Sequence, residues 1–248
     1  MSWTPPRSYE AEIMDRVDNS REELEAALAS IRRVNRWLGG RNALVQALEP
    51  WLRDPPKGRP LRLLDIGTGD ADIPLAVARE AAKRGIELQI VAIELDPATA
   101  AIARDHVASE CSIKIVRADA LALPFADGSF DLVTASLFLH HFHELEVVRL
   151  LHSFARVASG AVVINDLHRH RLPYWFIRAV CLLLRPDPMF ANDAPLSVLR
   201  GFTVDELAWA AHQATRAPVR LRRRWPFRLV LELHTSQIAT HPRREILR

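Results

Sequence analysis

Cysteine is nearly absent from this chain. Cys111 and Cys181 are its only thiols, too few for a disulfide framework or a zinc cluster, and they point to a reducing, cytoplasmic compartment. Glycine is scarce as well: 9 glycines and 16 prolines in 248 residues exclude collagen-like and low-complexity classes. Neither sign of charge dominates. With 33 Lys and Arg against 30 Asp and Glu, the net charge of +3 excludes a polybasic tail or an acidic disordered chain as the main feature. No stretch approaches the ~18 apolar residues of a spanning helix. The longest lipophilic run, Pro173 to Leu184, is broken by Arg178, and Met1 to Arg7 lacks the apolar run of a signal peptide. What is present, 49% apolar and 25% charged residues, suits a globular protein with one main core.

The chain changes rhythm near residue 58. Before it, Ser20 and Glu23 form a capping-box pattern ahead of Leu24, Ala27, Leu28, Ile31, Val34 and Leu38, which recur at helical spacing until Gly39-Gly40. Leu44, Leu48, Trp51 and Leu52 predict a second short helix, and Asp54 to Pro60 a linker. Residues 1–57 therefore read as an N-terminal helical cap. Beyond the linker, buried-strand runs at Leu61–Ile66, Leu88–Ile93, Ile113–Val116, Phe130–Ala135 and Ala161–Ile164 alternate with helices, which predicts an α/β fold with a parallel sheet covered on both faces. Thr203 and Glu206 cap one more helix. The last two strands, Val219–Arg224 and Phe227–Leu233, have almost no connection and should pair antiparallel. That gives a main domain over 58–235, with an insertion at about 167–201 and a tail at 236–248.

The chemistry begins at Asp65-Ile66-Gly67-Thr68-Gly69-Asp70-Ala71-Asp72, a glycine turn between a strand and a helix. A pyrophosphate fingerprint would place a third glycine where Asp72 stands, and no Lys-Ser or Lys-Thr pair marks a P-loop. Asp65, Asp70 and Asp72 have no Lys or Arg nearby in sequence, which favours a cationic ligand; Asp70 and Asp72 could instead cap the helix from Ile73. Glu94 ends the next strand, 29 positions after Asp65, where a carboxylate can accept two ribose hydroxyls.

Four segments in order resemble the class I S-adenosylmethionine-dependent methyltransferases, in particular small-molecule enzymes of quinone and polyketide pathways. They are Asp65 to Gly69; Val91 to Pro97 with Ala103-Arg104; Asp119-Ala120; and Leu123-Pro124-Phe125 through Ser136 to Phe142. The resemblance spans about residues 60 to 235. It implies a Rossmann-like, doubly wound seven-stranded sheet and S-adenosyl-L-methionine as cofactor, with S-adenosyl-L-homocysteine as product. By position it also implies a cofactor-binding set: Asp65, Gly67 and Gly69 at the methionine part, Glu94 at the ribose, Asp119 and Ala120 at the adenine, and Ser136 below the sulfonium, with Thr68 and Leu95 in the same set. One departure is that the family's third glycine is Ala71.

The methyl acceptor is less legible. His140 and His141 after the fourth strand, and Asp166 and His168 after the fifth, are the candidate catalytic groups, as base or orienting residues. His140 and His141 could equally pack the helix start, and Asp166 could cap the segment that follows it. No complete metal-ligand set is apparent. The insertion, with Tyr174, Trp175, Phe176, Leu182, Leu183, Leu184, Met189 and Phe190, suggests a lid over a small, lipophilic, hydroxylated acceptor, methylated on oxygen or carbon. Ordinary helix packing or a homodimer face is its other reading, and the chain as a whole has no spanning segment while leaving peripheral membrane contact open. Arg220, Arg222, Arg223, Arg224, Arg228, Arg243 and Arg244 keep an RNA methyltransferase as the alternative, and a non-catalytic cofactor-binding partner subunit as a further one.

Overall fold

Seven strands form one sheet in the order β3-β2-β1-β4-β5-β7-β6. The computed structural model describes residues 4–16 and 18–235, so the tail expected at 236–248, with Arg243 and Arg244, lies outside the described residues. The strands are β1 (Leu61–Ile66), β2 (Leu88–Glu94), β3 (Ile113–Arg117), β4 (Phe130–Ser136), β5 (Ala158–Leu167), β6 (Arg220–Arg224) and β7 (Arg228–His234). β1 to β5 are parallel, and β7 runs antiparallel between β5 and β6. From β1 the chain winds outward to β2 and β3; from β4 it winds the other way, to β5. The crevice at the carboxyl ends of β1 and β4 is therefore the topological switch point, where such sheets bind ligands.

The alternation of side chains along each strand assigns the two faces. Leu61, Leu63, Ile90, Leu132, Ala161, Val163 and Val230 pack with α2 (Gly40–Ala47), α3 (Glu49–Arg53) and α4 (Asp72–Lys83). Leu64, Ile66, Val133, Ala135, Val162, Ile164, Leu229 and Leu231 pack with α6 (Glu144–Val157) and α9 (Val204–Thr215). Because both faces are covered, the central strands read as continuous apolar runs.

The remaining helices build the rim of the crevice. α1 (Arg21–Trp37) opens on the Ser20–Glu23 capping box and packs Leu24 and Leu28 on Ile102 of α5 (Pro97–His106). Its next turns place Ile31 and Val34 against Ile177 and Phe190, so α1 crosses from the α5 side to the insertion. The connection from Asp166 to Thr203 holds two helices, α7 (Arg171–Leu184) and α8 (Pro188–Arg200). Among the described residues no helix is long and apolar enough to cross a membrane.

Candidate active site

The turn after β1 is shaped by close approach. Gly67 and Gly69 are left-handed, with φ of 61° and 56°. A Cβ on Gly67 would stand 2.2 Å from Phe138 Cδ2, so no side chain is accommodated there. Over Gly69, Leu28 of α1 closes to 3.4 Å of the same hypothetical atom, which lays α1 across the loop. Ala71, at the third-glycine position, is also left-handed (φ 62°), fully buried, and the N-cap of α4.

Sequence reasoning put three uncompensated acids in this loop; the fold leaves one. Arg32 of α1 pairs with Asp70, and Arg41 of α2 lies 3.8 Å from Asp72. Asp70 also accepts the Asp72 N–H at 3.3 Å, so it supports the start of α4 from one residue before the cap. Asp65 is different. Its carboxylate is buried, accepts the Thr134 hydroxyl at 2.7 Å and forms no ion pair among the described residues. Burial, reinforced by the charge of Glu94 and opposed by hydrogen bonding, pushes its pKa up to about 6. Glu94 is fixed by backbone: its carboxylate accepts N–H groups from Gly69 at 3.1 Å, Leu95 at 2.8 Å and Asp96 at 3.2 Å, and burial raises its pKa. Beyond it, Leu95 is exposed, Asp119 accepts the Leu121 N–H at 2.8 Å, and Ala120 is buried. Ser136 accepts an Asn165 side-chain N–H at 2.9 Å.

At the ends of β4 and β5 the structure joins His140 to Asp166 and leaves His168 apart from them. His140 Nδ1 lies 2.7 Å from Asp166 Oδ1, and its backbone N–H donates to Asp166 Oδ2 at 3.3 Å. On the other side, His140 Nε2 is 3.5 Å from Glu12 Oε1, with the Arg200 Nε 3.7 Å from the same oxygen. Burial opposes charging of the ring, but the two carboxylates outweigh it and push the His140 pKa up to about 9. Asp166 and Glu12 are held below the usual carboxylate range despite their burial, by that imidazolium. His141 is half-buried, its Nδ1 3.1 Å from Asp15 Oδ2. Glu12, His140 and His141 bring ligand-type atoms within 4.8 Å of one another, but a charged His140 offers no lone pair to a metal. His168 is half-buried, and burial, followed by Arg223, His170 and Arg169, pushes its pKa down to about 4.

Residues 63–159 match the family described as a methyltransferase domain. Over that segment the chain is similar to the class I S-adenosylmethionine-dependent methyltransferases. It is 31% identical over 142 residues to ajmaline N-methyltransferase of Rauvolfia serpentina, a match covering 54% of this chain and 46% of that protein. It is 39% identical over 88 residues to demethylmenaquinone methyltransferase of Thermus thermophilus, covering 35% and 38%. The chain thus spans less than half the length of either relative. A solved structure from Nostoc punctiforme shares the fold, with a TM-score of 0.63 at 16% identity over 92% of this chain and 64% of that one.

Several residues of the crevice carried no local sequence signal. Glu12, Asp15 and Arg200 reach the His140–His141 turn from the N-terminal segment and α8, and Thr134 holds Asp65 from the neighbouring strand. The N-terminal segment is itself fastened to α8, where Asp193 accepts the Ile13 and Met14 N–H groups at 2.9 Å each. The basic terminal strands are less basic at the surface than in sequence. Arg228 is buried against Asn35, with its pKa lowered by burial to about 10, and Arg220 lies 3.8 Å from Glu232. The insertion also departs from the lid reading: Leu172, Trp175, Leu182 and Leu183 point outward into solvent.

Proposed function

We propose that this chain transfers a methyl group from S-adenosylmethionine to a small, lipophilic, hydroxylated acceptor, on oxygen or carbon, leaving S-adenosylhomocysteine. The observation that carries the cofactor half is the pair Asp65 and Glu94. Two carboxylates, Asp65 buried and Glu94 half-buried, with no ion pair of their own among the described residues, flank two left-handed glycines at the ends of adjacent strands. That arrangement suits a ligand with an ammonium, a sulfonium and a ribose diol. In this reading Asp65, Gly67, Thr68 and Gly69 hold the methionine part and Glu94 the ribose hydroxyls. Leu95, Asp119 and Ala120 border the adenine, Ser136 lies by the sulfonium, and α1 closes the loop from above. Residues 58–235 form the catalytic domain, and 1–57 its cap. Bound S-adenosylmethionine supplies an electrophilic methyl carbon; the protein aligns the acceptor with it and excludes water.

Of the four candidate groups, His140 and Asp166 serve each other. A charged His140 is a poor base, and a fully buried Asp166 cannot reach an acceptor. They are positioning residues for the turn that carries His141. His141 and His168, both partly exposed, are the proton acceptors we put forward. The relatives named for demethylmenaquinone and ajmaline support a ring-bearing acceptor. Burial of Arg228 and pairing of Arg220 weigh against RNA.

S-adenosylmethionine or S-adenosylhomocysteine should raise Tm and NAD should not, and Glu94→Ala should weaken cofactor binding by about 1–3 kcal/mol. Stabilisation by NAD instead would refute the assignment. Replacing the true base among His141 and His168 by Ala should cost ~10²–10⁴ in rate at unchanged cofactor affinity. Along a series of alkyl-substituted phenols or quinols, affinity should rise severalfold per added carbon.

A further inference from the structure

α7 is apolar on two opposite sides. Its inner side, with Pro173 and Ile177 buried, packs on Phe190 and Val198 of α8. Its outer side carries Leu172, Trp175, Phe176, Leu182 and Leu183, which fall on one stripe of the helix. They are 65%, 58%, 41%, 77% and 79% exposed. The stripe continues onto the β6–β7 turn: the Phe176 ring is 5.5 Å from Phe227, which is 5.6 Å from Trp225, itself 85% exposed. An apolar surface this continuous is rare on a protein that meets only water.

The charges around it say what covers it. From 167 to 186, and again from 218 to 228, the sequence contains no Asp or Glu. Arg178, Arg185, Arg222 and Arg223 are exposed at these segments and form no ion pair among the described residues. The Arg178 guanidinium lies 5.2 Å from the centre of the Trp175 ring, at the edge of the apolar stripe. A second copy docked on this face would bring like charges together. A nucleic acid would use the arginines but leave a row of leucines without a partner. An anionic lipid surface satisfies both: acyl chains take the leucines, tryptophans settle at the headgroup level, and phosphates meet the guanidinium groups. At 14 residues, α7 is too short to span a bilayer and the right shape to lie in its interface.

We propose that the outer face of α7 and the β6–β7 turn dock this methyltransferase on anionic membranes. α7 starts four residues after the end of β5, so docking sets the acceptor side of the crevice next to the bilayer, where a lipophilic acceptor is dissolved. The purpose of docking rests on the proposed lipophilic acceptor; the docking itself does not.

The test is sedimentation of the full chain with vesicles of phosphatidylcholine alone or with 30% phosphatidylglycerol, without cofactor or acceptor. The wild type should sediment with the anionic vesicles, and release by high salt should be partial. The double variant Leu182→Glu, Leu183→Glu should lose binding more than tenfold at unchanged Tm, and Arg222→Glu, Arg223→Glu should lose it on anionic vesicles. Failure of the wild type to sediment, equal binding by the leucine variant, or a dimer in sedimentation velocity that the leucine variant abolishes would each overturn the proposal. Turnover of a detergent-dispersed lipophilic acceptor is measured separately. If it persists while vesicle binding fails, the membrane proposal falls and the acceptor reading stands.

Discussion

Asp65 and Asp166 hold matching positions and opposite roles. Each is a buried aspartate at the carboxyl end of a parallel strand, one on β1 and the other on β5, with β4 between them. Asp166 has a cation built for it, the His140 imidazolium, and stays well below the usual carboxylate range. Asp65 has the Thr134 hydroxyl where Asp166 has a cation, and its pKa climbs to about 6. Buried charge is costly unless paired, so the paired acid is architecture and the acid without a cation is a site waiting for one. The crevice thus has a satisfied edge, at the ends of β4 and β5, and an unsatisfied edge, at the end of β1, whose charge suits the cationic ligand we propose.

The satisfied edge should break hardest. His140→Gln leaves Asp166 buried without its paired imidazolium and Glu12 with Arg200 alone, and should cost about 3–5 kcal/mol of unfolding free energy at pH 7. The pH dependence has a definite sign. The ordinary imidazole pKa near 6.5 is raised to about 9 in the folded protein, so the stabilisation is complete below about 6.5 and is lost as pH rises through about 9. Asp166 and Glu12 contribute oppositely, losing their share as pH falls through their depressed values. Urea denaturation at pH 6.5 and 9.5 should therefore show the wild type weakening towards alkali and the variant much less so. Parallel curves would mean that the triad carries no charge in solution.

The unsatisfied edge should respond in the other direction. Folding raises the Asp65 pKa, so its contribution is favourable below about 3.8 and lost as pH rises through about 6; at pH 7 the ionised group costs stability. Asp65→Asn removes that cost while keeping an acceptor for Thr134. It should stabilise the ligand-free protein by roughly 1–3 kcal/mol at pH 7, with no gain below pH 4, and weaken S-adenosylmethionine binding. A variant that is less stable at pH 7 would show that Asp65 is paired after all, and the contrast with Asp166 would vanish.

How much of this contrast was visible in sequence follows from range. The glycine turn, Glu94, Asp119 and the strand–helix alternation are signals written within a few residues, and the fold they imply is the one observed. The partners of the acids are written far apart. Arg32 reaches Asp70 across 38 positions, Glu12 reaches His140 across 128, and His140 reaches Asp166 across 26, so the charge balance of each acid was illegible until the fold closed. The reading of Asp70 and Asp72 as ligand-directed charge failed for this reason. The insertion was hard to read for another: periodicity shows that α7 is apolar on two sides but not which side meets the protein.

The smallest effect sharpens the comparison at the loop itself. Ala71 occupies the left-handed conformation that glycine adopts freely, and its side chain is wholly enclosed. For an L-residue that conformation costs roughly 1–2 kcal/mol. Glycine in its place removes the strain but adds about 0.5–1 kcal/mol of unfolded-state entropy, and leaves a methyl-sized gap in the core. These terms nearly cancel, so Ala71→Gly should change stability by less than ~1 kcal/mol. It should, however, free the turn between Asp70 and α4, which hydrogen-exchange protection of the Asp72 amide would report as faster exchange. If cofactor affinity also falls while stability holds, the alanine contributes by keeping Asp65 and Glu94 aligned in advance of the ligand. Unchanged affinity would leave the alignment to the strands, and Ala71 to packing alone.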